Sequence, residues 1–424
     1  MATTPTIVVG RNNWGIKNGN LLGYYQSDDG FFVKREFAAT RGGGTNGTFV
    51  GSNGLIQTAA SGNLPRIDFT GGSPALLVEP AATNGIRNNS MVGAVAGSPG
   101  TLPTGGGWNS ILAGLTQTII GVGTENGISY IDMSFSGTAT STSALEIRYE
   151  SLTQIDALSG QAWTHSVYLK KIADPNPPVS YRLNIYERTS GGSYVANGDL
   201  TIVPTTTIQR FTQTRTLSGG GTVAKVQPTL LCGVVNGSTY DFTIRIGYPQ
   251  MELGSVATSV IPTTTSGLTR NADVINLTGA TDYIGQTEGT LYAEVDMQKT
   301  GVINAIFALD VGSSSEYIAL IRTSSNQFRA SIKKSSGTQQ NIINSSSYPI
   351  GIYKVAFAYK NGDYALYVNG VQAGTSTNAT DFPTGSLTQA VVSNTNYGPF
   401  NDRIRSAAVY NERLSNQELI EITS

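Results

Sequence analysis

The sequence predicts an all-β chain, tandem antiparallel β-sandwiches with a small β-rich segment at the N-terminus, on three observations. Short runs of Val, Ile, Thr, Tyr and Phe recur along the 424 residues, broken by clusters of Gly, Asn, Ser and Pro, which is how strands and tight turns read. Alternation is clean at residues 240–246, 293–297 and 353–359, where every second side chain can face a core. Helix-period patterns are nearly absent. The exception is Ser415-Asn416-Gln417-Glu418, a capping-box pattern leading into Leu419, Ile420 and Ile422.

Taken in order, residues 1–80 hold strand fragments and glycine-rich turns with too few apolar runs for a generous core, so this segment is expected to lean on a neighbour or on sister chains. Residues 81–265 carry strand runs at 128–135, 145–149, 163–170, 181–186, 211–216 and 240–246, enough for a complete sandwich. Residues 266–287 read as a linker, following the polar, proline-stiffened stretch 262–267. A last sandwich, residues 288–424, ends in the short helix.

Composition excludes several functions. With 27 Lys+Arg against 28 Asp+Glu the net charge is -1, and only 13% of residues are charged, so nothing favours nucleic acid or an anionic membrane as partner. Cys232 is alone, which excludes an intramolecular disulfide and a Cys-based metal site. His165 is the single histidine, which excludes a His-rich metal centre. The opening Met-Ala-Thr-Thr-Pro lacks a basic and then apolar leader, and no stretch approaches a membrane span, so neither export through such a leader nor membrane insertion is expected.

Certain phrases resemble known families. Glu288-Gly289-Thr290-Leu291-Tyr292-Ala293, Tyr364-Ala365-Leu366-Tyr367-Val368-Asn369-Gly370 and the close from Arg403 to Ser415 resemble a laminin-G/concanavalin-A-like jelly roll. That resemblance implies the fold and leaves the ligand open. Residues 48–56, 65–69, 76–84, 103–108 and 248–273 resemble modules of tailed-bacteriophage fibres and head spikes. The second resemblance implies a virion protein, with residues 1–80 as attachment and oligomerisation segment and 81–265 as a head-spike or carbohydrate-binding-module-like sandwich. It further implies a homotrimer, capsid or tail proteins as partners, and the virion surface as location.

Candidate chemistry is sparse. Glu294-Val295-Asp296 is similar to the start of the Glu-x-Asp-x-x-Glu strand of concanavalin-A-like glucanases, but Lys299 stands in the third position, so a solvated strand face is expected and no catalytic residue is assigned. Gly42-Gly43-Gly44-Thr45-Asn46-Gly47 matches G-x-G-x-x-G, yet Thr48-Phe49-Val50 after it reads as strand, which makes a turn the better reading than a nucleotide loop. Alternation places His165 beside Val167 and Leu169 as a structural histidine. Sugars stack on exposed rings while amides satisfy their hydroxyls, which selects Trp108 and Asn109, and Asn394, Asn396 and Tyr397, as ligand-binding candidates. No cofactor is expected. Calcium is compatible with the fold, with loop oxygens such as those of Asp310, Asp381 or Asp402, but no ligand spacing indicates a metal site.

The resulting expectation is a non-enzymatic virion fibre or spike, on capsid or tail, projecting sandwiches for multivalent adhesion to host-surface or environmental glycans. Shell or tail decoration without a ligand, and a polysaccharide depolymerase, are the alternatives.

Overall fold

The computed structural model describes residues 4–11, 14–26, 32–43, 46–301, 303–334, 340–377, 385–394, 396 and 398–424. The chain is all-β, and Asn416–Thr423 is the only α-helix among the described residues. Among the described residues no helix is long and apolar enough to cross a membrane. Two compact units form, residues 82–270 and residues 1–81 together with 271–424.

Residues 82–270 fold into two antiparallel sheets. One runs Thr116–Glu125, Ile128–Thr138, Thr239–Leu253, Ala162–Asn176, Gln209–Thr216. The other runs Asn109–Ile111, Leu145–Arg148, Lys225–Gly233, Ser180–Arg188, Tyr194–Ile202, with Ile155–Asp156 also on Lys225–Gly233. Alternation fills the space between them with Ile131, Met133, Phe135, Leu183, Ile185 and Leu230, all fully buried. Each strand run read from the sequence falls on an observed strand, the run 145–149 ending one residue past Leu145–Arg148. Lys225–Gly233 escapes that reading because it holds Pro228, which cannot donate to a ladder. Pro228 falls between Thr229, the last partner of Leu145–Arg148, and Val226, a partner of Ile155. The unit closes where Ala82–Asn84 pairs with Leu268–Arg270.

The second unit is a jelly-roll sandwich. Its front sheet runs Phe32–Thr40, Val274–Thr278, Gln389–Ser393, Asn304–Asp310, Tyr317–Arg322, Gln327–Lys333, Gln340–Ser347. The back sheet runs Val371–Ser376, Asp363–Val368, Gly351–Lys360, Glu288–Met297, Asp402–Tyr410, and the last of these also pairs with Ile7–Gly10 and Ala75–Val78. Residues 1–80, expected to lean on a neighbour, enter the C-terminal unit, which corrects only their division as a separate segment: Ile7–Gly10, Phe32–Thr40 and Ala75–Val78 belong to its sheets, while Thr48–Val50 and Ile56–Thr58 pair with each other. The reason is apolar content, since Ile7, Val9, Leu21, Phe37, Leu76 and Val78 have no core of their own and complete the common one. The linker expected over 266–287 likewise contains two strands, Leu268–Arg270 and Val274–Thr278, and the sandwich begins before residue 288.

In Gly351–Lys360, Val355, Phe357 and Tyr359 enter the main core, while Ala356 and Ala358 face the other way. Their small side chains leave room for the helix, whose Leu419 packs among Ala356, Ala358, Tyr367 and Tyr410. The capping box forms as expected: Ser415 Oγ accepts the Glu418 N–H at 3.3 Å and Glu418 Oε2 accepts the Ser415 N–H at 2.8 Å.

A buried charge network fastens the two ends of the chain together inside this unit. Arg41 pairs with Asp273 at 2.8 Å, Arg66 pairs with Glu79 at 2.9 Å and also with Asp273, and Lys299 reaches Glu79 at 3.2 Å. Burial works against the Arg66 charge, but Asp273 and Glu79 outweigh it and raise its pKa above the ordinary value.

Candidate functional site

Alternation along the front sheet sends Phe328, Ala330 and Ile332 inward and Arg329, Ser331 and Lys333 outward. Register then fixes the neighbours on the outer side: Tyr317 stands beside Lys333, Ala319 beside Ser331, and Ile321 beside Arg329. Ala305, Ala308, Tyr317, Ala319, Ile321 and Val391 form a small apolar cluster there. A cleft of about 300 Å³ opens against it, lined by Ile303, Ala305, Ser314, Tyr317, Ile321, Arg329, Lys333 and Asn396.

The polar groups of the cleft are held in place. Arg329 Nε donates to Asn344 Oδ1 at 2.7 Å, and Lys333 Nζ donates to the Ser314 carbonyl at 3.0 Å. Burial pushes the Tyr317 phenol above its usual pKa, opposed by a hydrogen bond with Ser331 and by the charge of Arg329. Asn394 is buried, its Nδ2 donating to Asp310 Oδ2 at 3.3 Å while its Oδ1 accepts the Asn396 N–H at 3.0 Å. Through that bond Asn394 braces the exposed Asn396, which lines the cleft. Ile303, 56% exposed, adds an apolar wall. Together these groups offer hydrogen bonds, positive charge and apolar surface to a polar ligand.

Of the candidates read from the sequence, Asn394, Asn396 and Asp310 come together here, and Tyr397 lies outside the described residues. Trp108 does not face solvent. It is 8% exposed, donates Nε1–H to the Asn88 carbonyl at 3.2 Å and meets Tyr149 edge-on at 5.1 Å, which corrects its expected role as a stacking platform. The glycines before it serve that packing, because a Cβ on Gly107 would lie 2.0 Å from the Ser151 nitrogen. Asn109 is exposed at the start of an edge strand opposite Arg148, in the other unit. Residue spacing gave no sign of Ser314, Arg329 and Lys333, since their convergence depends on strand register.

Glu294 and Asp296 project from the back sheet, each beside an arginine of the neighbouring strand: Arg405 lies 3.2 Å from Glu294 and Arg403 3.3 Å from Asp296. Asp296, Arg403 and Arg405 line a separate cleft of about 390 Å³ with Thr70, Ser73 and Gln298. Asp402 is buried, accepts the Gln298 and Lys299 N–H groups and pairs with Arg322 at 3.4 Å, while Asp381 lies outside the described residues. Among the described residues no group of three His, Cys, Asp or Glu side chains is arranged to hold a metal ion. Gly44 and Thr45 also lie outside the described residues, and Thr48–Val50 after them is a strand.

No curated protein matches the chain. Among solved structures, the CBM40 of the Ruminococcus gnavus IT-sialidase is similar at 18% identity and TM-score 0.29, covering 33% of this chain and 84% of that one. Domain 4 of AbnA, a GH43 extracellular arabinanase from Geobacillus stearothermophilus in complex with arabinotriose, is similar at 18% identity and TM-score 0.31, covering 36% and 73%. The tripod from the baseplate of bacteriophage Tuc2009 is similar at 15% identity and TM-score 0.26, covering 66% and 97%. Likenesses this distant carry no argument about function. Residues 269–420, which hold the cleft with Arg329, Lys333 and Asn396, match the family model Laminin_G_3, the concanavalin A-like lectin/glucanases superfamily.

Proposed function

We propose that the chain is a non-catalytic glycan-binding protein of a bacteriophage virion, a fibre or spike on capsid or tail, and that the front-sheet cleft takes the sugar. The observation that carries this reading is the cleft itself: an amide, a hydroxyl and two cations converge beside apolar Ile303 and Ile321, within the stretch that matches a lectin/glucanase family. The virion part rests on the resemblance of residues 48–56, 65–69, 76–84, 103–108 and 248–273 to phage modules. Its non-catalytic part is supported by Glu294 and Asp296, each engaged by an arginine rather than poised as an acid and nucleophile. Adhesion would be multivalent, with sister chains in a homotrimer raising effective concentration so that weak single contacts suffice.

The test is a glycan array and whole-cell binding assay on the full chain, with reducing-sugar release followed in the same wells. Saturable binding without sugar release, weakened at least about tenfold in Asn396→Ala and Ser314→Trp, is the expected result. Binding to no glycan or cell, with the chain still coating purified particles, would overturn adhesion in favour of decoration. Sugar release would favour a depolymerase.

A further inference from the structure

We infer that the ligand of the front-sheet cleft is an acidic saccharide, whose anionic group faces Arg329 and Lys333. This rests on the cleft being a glycan site and adds the ligand class. The two cations stand on one face of Gln327–Lys333, four residues and about 13 Å apart along the strand, with Ser331 between them. Both are anchored by neutral oxygens only, and among the described residues neither has a carboxylate within ion-pair distance.

Many strand cations elsewhere are paired with carboxylates: Arg403 and Arg405 have Asp296 and Glu294, Arg245 and Lys170 have Asp132 and Glu125, and Arg182 has Asp199. Arg188 and Arg210 stand singly on neutral oxygens; what sets Arg329 and Lys333 apart is that two such cations share one cleft. In a chain of net charge -1, two cations without carboxylate partners at one cleft are a local excess. The carboxylates near this face do not pair with them: Asp310 is buried and directed at the Gly312 N–H, 2.8 Å away, and at Asn394, and Glu316, beside Tyr317, accepts from Ser386 Oγ. Apolar walls at Ala305, Ile303 and Ile321 focus the resulting positive field into the cleft.

Geometry adds a second argument. Arg329 is held through Nε alone, so the outer edge of its guanidinium, the two Nη groups, has no protein acceptor among the described residues. That edge is the fork that binds a carboxylate or phosphate through two parallel hydrogen bonds. Lys333, about 13 Å away, acts as a point charge for the next acidic unit of an oligomer. Asn396 and Ser314 are then placed for hydroxyls, and half-exposed Ile303 for the apolar face of a ring.

The test is calorimetric titration of the full chain with three probes at 50 and 300 mM NaCl: tetragalacturonate, its carboxyl-reduced neutral counterpart, and an oligo(glycerol phosphate). The inference expects at least one acidic probe to bind about tenfold or more tighter than the neutral one, and to lose several-fold affinity at the higher salt. Which acidic probe wins distinguishes carboxylate from phosphodiester recognition. Arg329→Gln and, separately, Lys333→Gln should weaken the acidic probe about tenfold and the neutral one several-fold less, with unchanged circular dichroism showing that each variant folds. Equal binding of the neutral probe, insensitive to both variants, would overturn the acidic ligand and leave the glycan site standing. Binding of none of the three, together with an array blank for acidic and neutral glycans alike, would overturn the ligand class and the site together.

Discussion

His165 lies wholly inside residues 82–270, edge-on to the Tyr149 ring at 5.4 Å. Burial disfavours the imidazolium and lowers the pKa from 6.5 to about 3. Its neutral form stabilises the fold fully above pH 6.5, and that contribution fades as the pH falls toward 3, because the unfolded chain binds the proton first. Between pH 7.5 and 5 this group should lower the unfolding free energy by about 2 kcal/mol, and His165→Leu should remove that part of the pH dependence. Tryptophan fluorescence in denaturant reads it, because Trp108 and Trp163 both lie in this unit. Trp108→Ala should destabilise the same unit by about 3–5 kcal/mol without changing glycan binding at the cleft. Alternation foretold the buried histidine. It did not foretell the buried Trp108, because a glycine-rich loop reads the same whether it projects or packs, and only the space at Gly107 decides.

Strands were legible where apolar and polar residues alternate, as in residues 353–359, and the helix where its cap is written in Ser415 and Glu418. Lys225–Gly233 was hidden by Pro228, and Tyr194–Ile202 by its Asn, Gly and Asp residues, which a strand tolerates at the edge of a sheet. The charge network was not legible, because Arg41, Arg66, Glu79 and Asp273 meet only once their strands have paired. Its energetic weight follows from burial. Arg66→Met leaves Glu79 and Asp273 short of a partner away from water and should cost about 3–5 kcal/mol in denaturant unfolding. Lys360→Ala removes its pair with Glu288, where the side chains are 54% and 36% exposed, and should change stability by no more than about 0.5 kcal/mol.

Over the whole molecule, the fold class and the presence of two sandwiches were readable from the residues, while the way the chain is shared between them was not. Local patterns mark strands but not partners, so the pairing of Ile7–Gly10 with Asp402–Tyr410, about 400 positions apart, leaves no trace in either stretch. Residues 82–270 end in strands that pair with each other, and expressed alone they should melt as one cooperative unit. Residues 271–424 alone lack Ile7, Val9, Leu21, Phe37, Leu76 and Val78 from their core and should show no cooperative melt by circular dichroism. The candidate site was half legible: Asn394 and Asn396 were named from their loop, whereas Ser314, Arg329 and Lys333 join them through register alone. The central claim, that this cleft binds the glycan, is met most directly by hydrogen–deuterium exchange of the full chain with and without the tightest binder of the array. Slowed exchange in peptides covering 312–317, 327–334 and 393–398, with 82–270 unchanged, is the predicted result; protection confined to 82–270, or saturable binding with none at the cleft, would contradict it.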